Sequence, residues 1–248
     1  MSTISRLALL IFMVLLAACA TDDGLNRPTD RNKAAAIQAE LASRYLQVGR
    51  LDLARDRINQ ALALGPRLPS THTVAAVLQE KIGNKEGAET HYAKAVKLPG
   101  SGGAERNNYG QFLCSSERFE EAEEQFDAAI KDAFYANVET AALNAGICAS
   151  RAGHLDRAER FLRSALERRP NMAEGLLSMA SVQQALGNHM GARAFLQRFD
   201  ATGQQSSESL ALGYRIETAL RDPKAAALYR QRLLDEFPNS EQAKVLKE

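Results

Sequence analysis

Asn108-Tyr-Gly-Gln-Phe-Leu113 and, a few residues on, Arg118-Phe-Glu-Glu-Ala-Glu-Glu-Gln-Phe126 decide the reading of this chain. Within them a small residue, Gly110, stands twelve before Ala122, and a bulky one, Phe126, stands four after it. Working outward from Ala122, alanine recurs at Ala54, Ala88, Ala158, Ala192 and Ala226, in steps of 34, 34, 36, 34 and 34. Small residues fall twelve before these at Ala42, Ala76, Gly146 and Ala180, and bulky ones four after at Ile58, Tyr92, Leu162 and Leu196. Ala61, Ala95, Ala129 and Ala165 fall seven after. Small residues let neighbouring helices approach closely, and large ones fill the gaps between them.

The punctuation keeps the same period. Gly49, Gly83, Gly153 and Gly187 fall five before the recurring alanine, where a residue of positive φ ends a helix. Pro66, Pro170 and Pro238 fall twelve after it, where a second helix must stop. A period near 34 is the signature of tetratricopeptide repeats, each a pair of antiparallel helices. The expected fold is all-α, a tetratricopeptide-repeat superhelix or α-solenoid, with six repeats at 35–68, 69–102, 103–136, 139–172, 173–206 and 207–240. The extra pair in the 36-residue step belongs to a loop near Lys131–Asn137. The sixth repeat is the weakest match: Tyr214 stands where a small residue is expected, and Pro223 sits near the inter-helix turn. The remainder to Glu248 lacks room for a long capping helix.

Composition agrees. Of 248 residues, 45% are hydrophobic and 25% charged, with no Trp and only 7 Pro. Alanine and leucine dominate the apolar set, which favours helix over sheet. There are 31 Lys and Arg against 30 Asp and Glu, and loss of residues 1–18 removes Arg6, so the remaining charges balance. A neutral chain exerts no global pull on nucleic acid or anionic lipid.

The first nineteen residues read as an address. Arg6 forms a weakly basic start, and Leu7 to Ala18 follow without a charge. That stretch is too short for a bilayer core, which needs roughly 20 residues, but it suits a signal peptide. Leu16-Ala17-Ala18-Cys19 resembles the bacterial lipobox, which implies cleavage before Cys19 and acylation of its thiol and new amino terminus. Acyl chains contribute about 0.8 kcal/mol per buried CH₂. Ala20 stands where such lipoproteins carry the aspartate of inner-membrane retention, so the resemblance implies the periplasmic face of the outer membrane. Residues 19–34, polar with Gly and Pro, read as a lipidated flexible tether.

No catalytic constellation accompanies the repeats. H-E-x-x-H, Walker, G-x-S-x-G and G-x-G-x-x-G patterns are absent from the sequence. Pro99-Gly-Ser-Gly-Gly103 falls between repeats two and three, where a turn is required. His72, His91, His154 and His189 show no i, i+4 pairing and read as surface or turn residues, with no metal site. Glu120, Glu121, Glu123 and Glu124 form a solvated helix face or meet a basic partner. No cofactor or small-molecule substrate is expected beyond the lipid on Cys19.

Cys114 and Cys148 lie on first helices of adjacent repeats. A bridge would close a loop of about 35 residues and contribute roughly 3–4 kcal/mol. It needs Cα atoms within about 7 Å, whereas packed helix axes stand about 8–10 Å apart. A bond and two partly buried free thiols are both open readings.

First helices line the inner side of such an array. Counting the fifth, ninth and twelfth residues of each repeat gives Ala39, Ser43, Leu46, Thr73, Val77, Glu80, Asn107, Gln111, Cys114, Leu143, Ile147 and Ser150. Leu46, Val77, Asn107, Gln111, Leu143 and Ile147 are the candidate partner-binding residues. The apolar ones equally suit packing between repeats.

A lipobox followed by six such repeats resembles the type IV pilus biogenesis lipoproteins of the PilF/PilW family, the pilotins of the pilus secretin. The likeness is carried by Arg106-Asn-Asn-Tyr-Gly-Gln-Phe-Leu113, Arg118-Phe-Glu-Glu-Ala122, Leu162–Glu174 and Leu228-Tyr-Arg-Gln-Arg-Leu-Leu-Asp-Glu-Phe-Pro238. It implies a non-enzymatic protein that binds secretin subunits and promotes their outer-membrane localisation and multimerisation, in support of pilus assembly and twitching motility. Cys114 and Cys148 are not part of that family pattern. The alternatives are a repeat scaffold of outer-membrane protein insertion and a regulator of a cell-wall enzyme.

Overall fold

The computed structural model describes residues 28–246. The signal segment, Cys19 and most of the expected tether lie outside the described residues. Thirteen helices and no strand occur among those described. They are α1 (Pro28–Gln47), α2 (Leu51–Leu64), α3 (Pro69–Lys81), α4 (Lys85–Lys97), α5 (Gly103–Ser115), α6 (Phe119–Ile130) and α7 (Val138–Arg151). Then come α8 (Leu155–Arg168), α9 (Ala173–Ala185), α10 (His189–Asp200), α11 (Ser207–Ala219), α12 (Pro223–Glu236) and the short α13 (Glu241–Val245). Odd-numbered helices to α11 open a repeat and even-numbered ones to α12 close it. The chain is all-α, built of helix–turn–helix repeats.

Two compact bodies divide between His91 and Tyr92, inside α4. In the first, α1 packs on α2, and α3 packs on both. Its core holds Ala42, Leu46, Ala54, Ile58, Ala75 and Leu78. In the second, each opening helix from α5 to α11 packs on its own closing helix and on the next odd-numbered helix. The main core here joins Leu143, Leu162, Leu176, Met179, Leu196 and Ile216, and Leu210, Leu233 and Ala243 form a smaller cluster against α13.

The recurring alanines explain the packing. Ala54, Ala88, Ala122, Ala158 and Ala192 are wholly buried. In repeats three and four the position opposite the bulky residue has no room for a side chain. A Cβ on Gly110 would come within 2.7 Å of the Phe126 ring, and one on Gly146 within 2.6 Å of Leu162 Cγ. Real Cβ contacts do not approach that closely, so glycine is what lets these helices meet.

Each turn inside a repeat has one geometry. Gly49, Gly83, Gly153 and Gly187 have φ between 74° and 80°. At the same position in the third and sixth repeats stand Glu117 (φ 61°) and Arg221 (φ 59°), although neither is glycine. The next amide in every case donates back to the carbonyl five residues earlier, from Arg50 to Tyr45 through to Asp222 to Glu217, at 2.8–3.0 Å. This bond satisfies a carbonyl that the helix end would otherwise leave unpaired.

Two expectations need correction. α1 begins at Pro28, so the tether does not extend to residue 34. Proline suits a first helical turn, Asp30 complements the helix dipole, and Arg31 Nη2 donates to the Ala63 carbonyl at 3.3 Å. In the sixth repeat the close approach is displaced by one residue rather than lost. Gly213 takes the small-residue role, where a Cβ would lie 2.5 Å from the Tyr229 ring. Tyr214 consequently lies half-buried beside it.

The loop at 131–137 is ordered by one carboxylate. Asp132 accepts from the Gly103 amide at 2.6 Å and from the Phe134 amide at 2.9 Å. Tyr135 lies against Gly103, while Phe134, where Pro66 and Pro170 stand in other repeats, is 98% exposed.

Candidate binding groove

In the second body, three successive opening helices, α7, α9 and α11, form the walls and floor of a groove of about 300 Å³. Its apolar surface comes from Ile147, Leu177 and Leu212, the last buried and the other two half-buried. Ser150, Ser178 and Ser181 add hydroxyls, and Arg151, Glu174, Glu208 and Arg215 add charge. The charges follow the helix direction. Glu174 and Glu208 are the second residues of α9 and α11, and Arg151 is the last of α7. This order suits the helix dipoles, with acids at N-termini and a base at a C-terminus.

Of the six groove candidates, Ile147 alone lines this cavity. Leu46 and Leu143 are corrections: both are buried in core clusters, because their direction from the helix is toward the neighbouring repeat. Val77 is half-buried against the first core. Asn107 is buried as well, accepting from Asn144 Nδ2 at 2.9 Å, while Gln111 is exposed. The residues missed were within reach of the same count. The fifth and ninth positions, carried into repeats five and six, fall on Leu177, Ser181 and Arg215.

Cys114 and Cys148 are joined by a disulfide, with Cα atoms 5.8 Å apart. The bond joins the opening helices α5 and α7, which pack on each other, and both cysteines are buried. Arg151 Nη1 lies 3.7 Å from Cys114 Sγ, so the bond adjoins the cationic end of the groove.

Polar pairs also hold repeats five and six together. Arg193 donates through Nε and Nη2 to the two carboxylate oxygens of Glu217, and its Nη2 lies 3.6 Å from Asp222 Oδ2. The hydrogen bonds it donates to the Glu217 carboxylate raise the Arg193 pKa further. Tyr229 Oη donates to Asp200 Oδ2 at 3.1 Å. Burial pushes both groups up, so the phenol stays protonated at physiological pH.

His72 also needs correction. It is buried rather than surface-exposed: Nε2 donates to the Pro66 carbonyl at 2.9 Å, and Nδ1 lies 3.0 Å from Nδ1 of His91. With Nε2 protonated, neutral His72 accepts at Nδ1 from His91. The two rings stack at 5.3 Å between centroids. No group of three or more His, Cys, Asp or Glu placed to hold a metal occurs among the described residues. None of the described helices is long and apolar enough to cross a membrane.

Paired helices, a 34-residue alanine register and a conserved turn geometry within the chain define a tetratricopeptide-repeat protein, a scaffold fold. No protein-family model matches the chain. It is 27% identical over 238 residues to the type IV pilus assembly protein PilF of Pseudomonas aeruginosa, covering 94% of each chain. It is 33% identical over 159 residues to an uncharacterized protein of Haemophilus influenzae, covering 63% of this chain and 87% of that one. The crystal structure of PilW, a widely conserved type IV pilus biogenesis factor, superposes with a TM-score of 0.81 at 26% identity, covering 88% of this chain and 100% of that one. The chain is thus similar, over most of its length, to the tetratricopeptide-repeat proteins of type IV pilus biogenesis, PilF and PilW.

Proposed function

We propose that the chain is a lipoprotein, anchored through Cys19 to the periplasmic face of the outer membrane, that binds type IV pilus secretin subunits. It promotes their outer-membrane localisation and multimerisation, and so supports pilus assembly and twitching motility. The observation that carries this is the extent of the likeness: all of the PilW crystal structure and 94% of PilF are covered. The lipobox-like Leu16-Ala17-Ala18-Cys19 supplies the anchor in this reading. Binding and lipid-directed location do the work, and no residue performs covalent chemistry after acylation.

The test is deletion of the gene, with the secretin followed in separated inner and outer membranes on gels that preserve multimers. Multimers should vanish or move to the inner membrane, wild type should restore them, and Cys19→Ala should not restore their location. Unchanged multimers in the deletion strain would reject the secretin as partner.

A further inference from the structure

We infer that the groove across α7, α9 and α11 receives one amphipathic segment of the partner protein, oriented by charge. Its apolar side chains lie on Ile147, Leu177 and Leu212, its carboxylates face Arg151 and Arg215, and its cationic side chains face Glu174 and Glu208. This rests on the reading above, in which the partner is the secretin subunit, and adds the place and the chemistry of docking.

Three observations carry it. First, Leu177 and Ile147 are left half-buried on the groove surface where the opening helices meet. Second, the groove's charges have no ion-pair partner among the described residues. Other charges of the same body are paired: Arg157 with Glu123 at 2.9 Å, Arg163 with Glu159 at 2.6 Å, and Arg193 with Glu217. Third, the two signs are separated along the helix axes. Acids occupy the starts of α9 and α11, and bases occupy the end of α7 and the second half of α11.

These features select the occupant. Two glutamates in the groove disfavour a phosphate backbone, and two arginines beside an apolar floor favour a segment carrying carboxylates between apolar residues. Three adjacent helices at axis spacings of about 8–10 Å span roughly 20 Å, the length of about six extended residues. The separation of sign also fixes direction, since a segment laid the other way would bring like charges together.

The experiment uses the full mature chain and detergent-solubilised secretin subunits. Arg151→Glu with Arg215→Glu is compared with wild type, with Arg151→Gln and Arg215→Gln as a gentler pair, and helicity and melting temperature check that each folds. The reversed pair should weaken binding by about tenfold or more, with a smaller loss for the neutral pair, and high salt should narrow the gap between them. Folded variants that bind as tightly as wild type would overturn the docking site and leave the secretin reading standing. Failure of the wild-type chain to hold the subunit would overturn both.

Discussion

Repeats three and four are tied together differently from repeats five and six. Between the former the links are a covalent bond from Cys114 to Cys148, the Asn144–Asn107 hydrogen bond and the exposed Arg157–Glu123 pair. Between the latter they are ionic and phenolic: Arg193 with Glu217, and Tyr229 with Asp200. The helix–turn–helix geometry is the same in both, down to the left-handed turn residue and its backward hydrogen bond. Apolar packing in a fixed register therefore sets the repeat geometry, and the cross-links between repeats are interchangeable means of holding it.

Removing each tie measures that claim. The double substitution Cys114→Ser, Cys148→Ser should lose about 3–4 kcal/mol of stability in urea titration, and reductant should lower wild type to the same level. A midpoint insensitive to reductant would break the covalent half of the comparison. Glu217→Ala leaves the half-buried Arg193 without its main partner and should cost about 2 kcal/mol. Arg193→Met with Glu217→Leu should recover most of that loss, because an apolar pair replaces the ionic one.

The shared register has its own test. Gly110→Ala and Gly213→Ala should each cost about 2 kcal/mol by driving a methyl into Phe126 or Tyr229. Equal losses in the two would show that the sixth repeat keeps the third's packing one residue out of step. The smallest effect is a gain. Glu117→Gly and Arg221→Gly relieve a left-handed backbone and should each raise stability by about 0.5–1 kcal/mol, seen as a higher urea midpoint.

The fold was legible because its determinants are local and periodic: the buried alanines recur at fixed spacing, and spacing is what a sequence records. The displaced contact in the sixth repeat was not, since Gly213 and Tyr229 keep their distance from each other but shift together against Ala226. The turns at Glu117 and Arg221 carry no glycine to announce them, because the helices on either side impose the conformation. His72 meets His91 across 19 residues, a pairing that depends on how α3 and α4 face each other. The groove was half legible. Ile147 lies in it, but Leu46 and Leu143 turn toward neighbouring repeats, a rotation of a few tens of degrees about the helix axis that periodicity does not encode.

The bond between Cys114 and Cys148 also matters to a chain under tension. In the function proposed above the protein is anchored while it holds a partner, so it is pulled along its length, and stacked helix pairs peel away one after another when pulled. The bond closes a ring across 34 positions of sequence, so that stretch cannot pay out as thread. At about 3.4 Å per residue, full extension of the oxidised chain should fall short of the reduced chain by roughly 110 Å, a step that single-molecule stretching would read directly. The closing helix α6, which lies wholly inside the ring, would stay slack while the helices outside it are drawn straight.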